Sequence, residues 1–211
     1  GGGVIGTVLT HLLSLRGVGV TLVNSNFQRP KFPLIHSKLL KFPEDIKLAR
    51  ISEDVYVRLS RELGVNVLRP MKSITIIPAA CYNDILSIMG MWHEAGAETH
   101  VVNGIDEYGL RRVNDQEMYI LSTNGDNLVN YPLLMSKVHE IKGVNCVRGE
   151  ATIRLGNHEV KVLVSGNELR GDYVILASGA WNSIITRGAG LRVPLLPYKC
   201  QAAAFMGRRI S

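Results

Sequence analysis

Three glycines at the start of the chain have a spacing that suits the binding of a phosphate. The chain opens GGGVIG, which places Gly1, Gly3 and Gly6 in the pattern G-x-G-x-x-G directly before a helical pattern. In this pattern the first glycine makes a tight turn, the second lets the backbone approach a pyrophosphate, and the third lets the helix pack closely on a sheet. The helix N-terminus adds N–H groups and partial positive charge. The spacing therefore predicts a dinucleotide site, and a glycine-rich turn without a ligand is the alternative.

One residue departs from the dinucleotide pattern. An acidic residue that binds the adenosine ribose is expected at the end of the next strand, where this sequence has Asn24 followed by Ser25. Asparagine can donate to and accept from a hydroxyl, but it loses the charge-assisted part of the hydrogen bond. It also repels a 2′-phosphate less than a carboxylate would. We expect the change to affect affinity more than the identity of the dinucleotide.

The elements that must position the glycine loop follow it directly. Leucines and a valine at helical spacing predict a helix whose apolar face consists of Val8, Leu9, Leu12, Leu13 and Leu15. A basic residue and a glycine, Arg16 and Gly17, predict its end. The apolar run from Val18 to Val23 is typical of a strand buried on both sides in a parallel sheet.

The middle of the chain has a different pattern. Here the sequence predicts a loop over 27–43, a helix over 44–63, a strand over 73–78, a helix over 82–95 and a strand over 99–102. The apolar stripe of the 44–63 helix is formed by Ile46 or Leu48, Ile51, Val55, Leu59 and Leu63. Because helix and strand do not alternate regularly, we expect an antiparallel sheet in a separate α+β region.

The first pattern returns near Leu128. We expect a helix from there to about Lys142, followed by strands over 144–147, 151–155, 159–164 and 168–170, with a turn at Ser165, Gly166 and Asn167. The run DYVILA over 172–177 predicts a buried strand that leads into the glycine turn SGAW.

Composition excludes several other classes of protein. The chain has 211 residues, of which 46 % are hydrophobic, 20 % charged and 6 % aromatic, with a net charge of +6. No run approaches the ~18 to 20 apolar residues of a membrane span, and the short basic clusters do not predict nucleic-acid binding. The isolated residues Cys81, Cys146 and Cys200 predict neither a disulfide framework nor a zinc site, and they favour a reducing, cytoplasmic setting. The histidines show no metal spacing.

Three later segments carry a family resemblance. The stretch GDYVILASGAW over 171–181 resembles the late strand and turn of the D-amino-acid oxidase / glycine oxidase / sarcosine oxidase family. Gly143-Val144-Asn145, followed by a β run through Thr152, resembles that family's strand beside the adenine. Residues 194–201, PLLPYKCQ, resemble its crossing into the substrate domain. The segments occur in family order and at family-like spacing over essentially the whole chain.

The resemblance implies FAD as the cofactor. It implies an α/β fold in which a Rossmann-type FAD-binding domain, residues 1–44 and 127–195, is interleaved with an α+β substrate domain on an antiparallel sheet, residues 45–126 and 196–211. The implied cofactor-binding residues are Gly1, Gly3, Val4, Ile5, Gly6, Asn24, Ser25, Thr152, Ala177, Ser178, Gly179 and Trp181.

The implied activity is oxidation of the CH–NH or CH–OH carbon of a small amino or hydroxy acid by hydride transfer to the flavin. An NAD(P)-dependent dehydrogenase and a non-catalytic or electron-transferring FAD subunit of a larger complex are the alternatives. The protein is expected to act with a partner subunit or as a homo-oligomer, and the sequence leaves both possibilities open.

Two residues are candidates on the substrate side. His36 lies in the loop that runs along the flavin in the family, where it would face the flavin ring or attach to it covalently. A solvated or capping histidine is the alternative. Tyr198 matches a position that lines the active site in sarcosine-oxidase-like members, with a core tyrosine as the alternative.

The resemblance also predicts further segments. The family has a strand directly before the glycine pattern, and its substrate domain continues beyond the Pro-Tyr-Lys region to a second glycine-rich stretch. The segment over 25–37 is also shorter than the family's FAD-wrapping loop. We therefore expect an apolar strand before Gly1, or another segment in its place, and a continuation after Ser211.

Overall fold

The computed structural model describes residues 1–25, 34–102, 104–111, 116–156 and 159–196. These residues form two compact units, one from the ranges 1–32 and 132–211 and the other from 33–131. The fold is mixed α/β with several sheets. None of the helices in the described ranges has both the length and the apolar character needed to cross a membrane.

The elements follow each other along the chain in this order: α1 Val4–Ser14, β1 Val20–Asn24, β2 Leu34–Ser37, α2 Pro43–Glu62, β3 Leu68–Pro78, α3 Tyr82–Glu94, β4 Glu98–Val102, β5 Glu117–Val129, α4 Tyr131–His139, β6 Val144–Arg148, β7 Ala151–Leu155, β8 Val160–Val164, β9 Asn167–Leu169 and α5 Asn182–Gly188. Short 3₁₀ turns lie at Ala79–Cys81, Asp106–Tyr108 and Gly179–Trp181.

The first unit contains a parallel strand pair and a small antiparallel sheet. β1 pairs in parallel with β6, with Leu22 opposite Cys146, so the parallel pairing predicted for the 18–23 strand is confirmed. Its burial on both sides is not, because Thr21 is exposed and Leu22 is the one fully buried residue of the strand. β7, β8 and β9 form an antiparallel sheet, and the predicted turn at Ser165 and Gly166 has positive φ at both residues. α1 packs against β1, and α5 packs against β7.

The buried face of α1 differs from the predicted one. The helix buries Gly6, Thr7, Thr10 and His11, whereas Leu15 is 57 % exposed. The threonine hydroxyls have partners: Thr7 Oγ1 donates to Met135 Sδ at 3.5 Å, and Thr10 Oγ1 donates to the Gly6 carbonyl at 2.8 Å. A buried polar group is tolerated when it is hydrogen-bonded, and small residues let the helix backbone come close to its neighbours. The prediction of a leucine face was therefore wrong.

The predicted buried strand over 172–177 is also wrong. The segment has no strand pairing, and Tyr173 is 92 % exposed. A strand's N–H and C=O groups must be paired by a neighbouring strand. No strand in the described part of the chain pairs with this segment. Its apolar composition therefore does not by itself produce a strand.

The second unit is organised around β5. β3 pairs antiparallel with one side of this strand, while β2 and β4 pair antiparallel with the other side. The expectation of an antiparallel sheet in the middle of the chain is confirmed. The helix predicted from Leu128 starts only at Tyr131, because Leu128 and Val129 still pair with β2 and β3.

Helices α2 and α3 complete this unit. The core cluster joins Ile46 of α2 and Trp92 of α3 to Met118 and Ile120 of β5. The Trp92 indole Nε1 donates to the Leu40 carbonyl at 2.9 Å. The predicted stripe of α2 is correct at Ile46 and Leu59 and wrong at Ile51, which is 59 % exposed; the helix buries Ala49 instead.

A buried ion pair ties α2 to the segment after β2. Lys38, whose side chain is 5 % exposed, donates to Glu53 Oε2 at 2.8 Å. The Asn127 amide Nδ2 donates to the other carboxylate oxygen at 3.1 Å. Burial raises the pKa of Glu53, but the Lys38 hydrogen bond and charge and the Asn127 hydrogen bond outweigh it. The pKa of this carboxyl therefore lies below its ordinary value.

We predict that Glu53→Gln destabilises the protein by about 2 to 3 kcal/mol near neutral pH, because the buried Lys38 charge loses its partner. Urea unfolding monitored by circular dichroism measures this difference. Since the folded pKa of Glu53 is lowered, its contribution is present above the ordinary carboxyl pKa. This contribution is lost as the pH falls through the pKa of Glu53 in the folded protein. The difference in free energy of unfolding between variant and wild type should therefore disappear at that pH.

Glu62→Gln is the matched control on the same helix. Glu62 lies 3.8 Å from Arg58 Nε in an exposed pair, so we expect a change of no more than about 0.5 kcal/mol. Equal effects of the two substitutions would contradict a special role for the buried pair.

Candidate functional site

Two distant glycine segments of the first unit pack backbone against backbone. A Cβ atom added to Gly1 would lie 2.5 Å from the Ala177 carbonyl oxygen and 2.9 Å from Ser178 Cα. A Cβ atom on Gly6 would lie 1.8 Å from the Gly1 carbonyl oxygen. These distances are far below ordinary van der Waals contact, so no side chain fits at either position. The turn at 177–178 thus borders the glycine loop directly.

Gly3 lies in the opposite situation. It is exposed, and its φ of −76° and ψ of −173° are open to any residue. Among the described residues, no atom beyond its two chain neighbours lies within 4 Å of a Cβ built there. Neither packing nor backbone conformation in the described residues requires a glycine at this position. The space in front of Gly3 is open. This open space, here termed the cradle, is where a bound phosphate would lie in a dinucleotide-binding glycine loop.

The N-terminus of α1 opens into the same space. Gly3 is its N-cap and offers no side chain to the first turn, which contains no acidic residue. The first N–H groups of a helix have no partner within the helix, and the partial positive charge there favours an anion. Val4 and Ile5 provide two of these N–H groups, and Ile5 is 67 % exposed. The geometry and the charge both suit a phosphate.

Asn24 lies at the carboxyl end of β1, where the ribose partner is expected. It is the last residue of the strand and lies in register with Arg148 of β6. Its carbonyl accepts a hydrogen bond from Gly149 N–H at 3.0 Å. Ser25 follows it and is exposed. The position therefore combines a neutral amide with a neighbouring cationic residue.

The remaining predicted cofactor residues lie in two places. Gly179, with φ of +60°, and Trp181, which is 54 % exposed, belong to the 3₁₀ turn directly after Ser178. Thr152 is exposed and lies in β7 opposite Leu163, so it is held by the antiparallel sheet and not by the glycine loop.

Asn182, the first residue of α5, holds the turn from the other side. Its Oδ1 accepts a hydrogen bond from Ser178 N–H at 2.9 Å, and its Nδ2 donates to the Leu176 carbonyl at 3.2 Å. Asn182 carries no cofactor motif. The only sequence signal is an asparagine at a predicted helix start, where its side chain commonly binds nearby backbone.

His36 belongs to the second unit, where it lies in β2 opposite Asn127. Its ring meets Tyr56 edge to face with centroids 5.7 Å apart. Both ring nitrogens are buried, and their hydrogen bonding with described residues is limited to a weak interaction with the Ala49 backbone. Burial lowers the pKa of His36, and the charge of Glu53 offsets this only in part. The assignment of His36 to the substrate side and its alternative, a solvated or capping histidine, both stay predictions.

Two other expectations concern Tyr198 and metals. Tyr198 lies outside the described residues. Within the described ranges, no group of His, Cys, Asp and Glu side chains is arranged to hold a metal ion.

Similarity to known proteins is strongest at the level of structure. The fold is similar to iminodiacetate oxidase from Chelativorans sp. BNC1, with a TM-score of 0.71, 19 % identity and coverage of 93 % of this chain and 58 % of that chain. It is also similar to glycine oxidase from Bacillus cereus ATCC 14579, with a TM-score of 0.63, 20 % identity and coverage of 89 % and 56 %. These likenesses show the fold.

Sequence similarity is more limited. Over 65 residues, or 28 % of this chain and 18 % of the relative, the chain is 40 % identical to glycine oxidase of Pseudomonas aeruginosa. No family model matches the chain. The chain spans less than a fifth of that curated relative in the matched region and a little over half of the two solved structures.

We predict that Gly3→Val abolishes dinucleotide binding without unfolding the protein. The new Cβ would meet no atom of the described residues beyond its chain neighbours, and the side chain would occupy the cradle that the phosphate needs. Isothermal titration with FAD measures binding, and circular dichroism measures folding. A folded variant that retains stoichiometric FAD would refute the assignment of the cradle.

Two further substitutions calibrate this result. Gly19→Val adds the same side chain at a site with no atom within 4 Å and without positive φ, so we expect FAD binding to be unchanged. Gly6→Ala places a methyl group on the Gly1 carbonyl, and we expect it to destabilise the first unit whether or not a ligand is present.

Proposed function

We propose that the chain is the FAD-binding part of an oxidoreductase that oxidises a small amino acid. The observation that carries this proposal is the packing of Gly1 against Ala177 and Ser178 beside the open cradle at Gly3. The first unit would be a Rossmann-type domain interleaved with the antiparallel substrate domain. The protein names of the similar structures, an iminodiacetate oxidase and a glycine oxidase, support an amino-group substrate over a hydroxy acid.

The described residues can be matched to the successive parts of a dinucleotide. The first-turn N–H groups of α1 would bind the pyrophosphate, and Gly3 would leave room for it. Asn24 and Ser25 would face the ribose. The backbone of 177–179 would lie along the cofactor, with Trp181 and Thr152 at its edges. When bound, FAD supplies a hydride acceptor for the carbon that bears the amine.

We assign His36 and Tyr198 to the substrate side. A neutral imidazole can both donate and accept a hydrogen bond. The ring nitrogens of His36 are buried and poorly hydrogen-bonded, which leaves them with capacity to bind a substrate group. The roles of His36 and Tyr198 and the D-amino-acid oxidase subtype are part of the proposal that the chain binds FAD and oxidises an amino acid.

One observation favours a second candidate, an NADP-dependent dehydrogenase. Arg148 lies in register with Asn24, and an arginine beside this strand end can accommodate a 2′-phosphate.

A direct binding measurement decides between the two cofactors. The protein is incubated separately with FAD and NADP⁺, and bound flavin is read from its visible absorption. Loss of the visible flavin absorption on anaerobic addition of glycine or proline would support oxidation of the amino acid by the flavin.

The outcomes separate the proposals. Stoichiometric FAD with no affinity for NADP⁺ supports the flavoenzyme. Binding of NADP⁺ alone overturns it in favour of the second candidate.

We predict that Asn24→Glu tightens FAD binding by about 1 kcal/mol, the difference between a neutral and a charge-assisted hydrogen bond. The same change should weaken binding of NADP⁺, because the carboxylate repels a 2′-phosphate. Titration calorimetry with both dinucleotides tests the two effects together. Thr21→Glu is the control: Thr21 is an exposed residue in the middle of β1, away from the end of the strand, and we expect this change to leave both affinities unchanged. Equal or weaker FAD affinity in Asn24→Glu would show that Asn24 does not face the ribose.

A further inference from the structure

The side chain of Asn182 closes the turn that borders the glycine loop. Its Oδ1 accepts from Ser178 N–H at 2.9 Å, and its Nδ2 donates to the Leu176 carbonyl at 3.2 Å. The Leu176 carbonyl lies before Ala177 and the Ser178 N–H lies after it. A single amide thus fixes both ends of the short stretch that faces Gly1.

The two partners determine which residue can do this. One side of the amide must accept a hydrogen bond and the other must donate one, which also fixes the orientation of the amide group. An ionised carboxylate can only accept, and would therefore repel the Leu176 carbonyl. A hydroxyl is too short to reach both backbone groups from the same position. Asparagine satisfies both.

Asn182 is itself anchored in the fold. Its carbonyl accepts a hydrogen bond from Thr186 Oγ1 at 2.8 Å, and Thr186 is only 4 % exposed. Both residues lie in α5, which packs against β7. The amide therefore links the turn to an element held by a sheet.

The turn at 177–178 limits the position of the glycine loop. The Ala177 carbonyl oxygen lies 2.5 Å from where a Cβ of Gly1 would be, and the Ala177 side chain lies 3.5 Å from where a Cβ of Gly6 would be. With so little space, a displacement of the 176–178 backbone is transmitted to the loop and to the start of α1. Asn182 is far from the glycine loop in sequence, but it binds the turn, and the turn packs against Gly1.

We propose that Asn182 is a positioning residue for the cofactor: through Leu176 and Ser178 it holds the glycine loop in the conformation that binds the dinucleotide. This inference depends on the proposed function, since it concerns the same site. Asn182 acts through the backbone of the turn and needs no contact with the cofactor.

The test compares Asn182→Ala and Asn182→Asp with wild type. Asn182→Ala removes both hydrogen bonds, and we expect FAD affinity to fall by about 10- to 100-fold, the effect of one to two hydrogen bonds. The visible spectrum of any flavin that remains bound should shift towards that of free flavin. Ser183→Ala is the control on the same helix. Its hydroxyl donates to the Ala180 carbonyl at 3.1 Å, outside the Leu176 to Ser178 stretch, and we expect unchanged affinity.

Asn182→Asp supplies a readout that a purely structural role would not change. At pH 8 the carboxylate cannot donate to Leu176, so FAD affinity should fall as in Asn182→Ala. Below the carboxyl pKa of about 4 to 5, the protonated acid can donate and accept like the amide. The ratio of the variant's Kd to that of wild type, measured between pH 8 and pH 4.5, should therefore shrink several-fold on acidification.

The outcomes keep the two proposals apart. If wild type and Ser183→Ala bind no FAD, the proposed function fails, and this inference fails with it. If wild type binds FAD and Asn182→Asp binds equally well at pH 8, the inference alone is overturned. If Asn182→Ala does not fold, the pH-dependent ratio of Asn182→Asp decides: a constant ratio overturns the positioning role.

Discussion

The close approach of Gly1 to the Ala177 and Ser178 backbone is the constraint on which the first unit depends. Two segments far apart in sequence can meet at this distance only when no side chain stands between them, and this explains the glycines at positions 1 and 6 without reference to a ligand. Gly3 is different because no described atom requires it. The contrast among three glycines of one motif separates what the fold needs from what a ligand needs.

The second unit depends on a polar contact of another kind. The Lys38 and Glu53 pair joins the segment after β2 to α2, and Asn127 of β5 binds the same carboxylate. Buried ion pairs contribute little to stability when compared with apolar replacements, but they permit only one arrangement of their elements. His36 lies in the same polar region, where burial of its ring lowers its pKa.

The sequence predicted the local elements well and their environments less well. The helices near 44–63 and 82–95 and the parallel pairing of β1 follow from periodicity and from β-branched runs, which are local properties. The buried face of α1 does not, because the need for a close approach at Gly6 turns Thr7 and Thr10 inward and leaves Leu15 exposed. The run over 172–177 has the composition of a strand, but pairing depends on a neighbour that no local pattern reveals. The long strand β5, which continues through 123–127 with Gly125 at a φ of +147°, was not predicted from the sequence either. For the candidate site, the glycine pattern was visible, whereas the contribution of Asn182 arises only from the folded turn.

The position of β5 within its sheet has a consequence for how the second unit forms. β2, β3 and β4 all pair with β5, yet β5 follows all three in sequence. During synthesis the three earlier strands therefore leave the ribosome without their partner, and β2 must wait for residues 126–129. Contacts between such distant positions require the closure of long loops, which slows folding. Until Val129 has emerged, the strand edges that will flank β5 remain unpaired, and unpaired edges of this kind can pair with other chains.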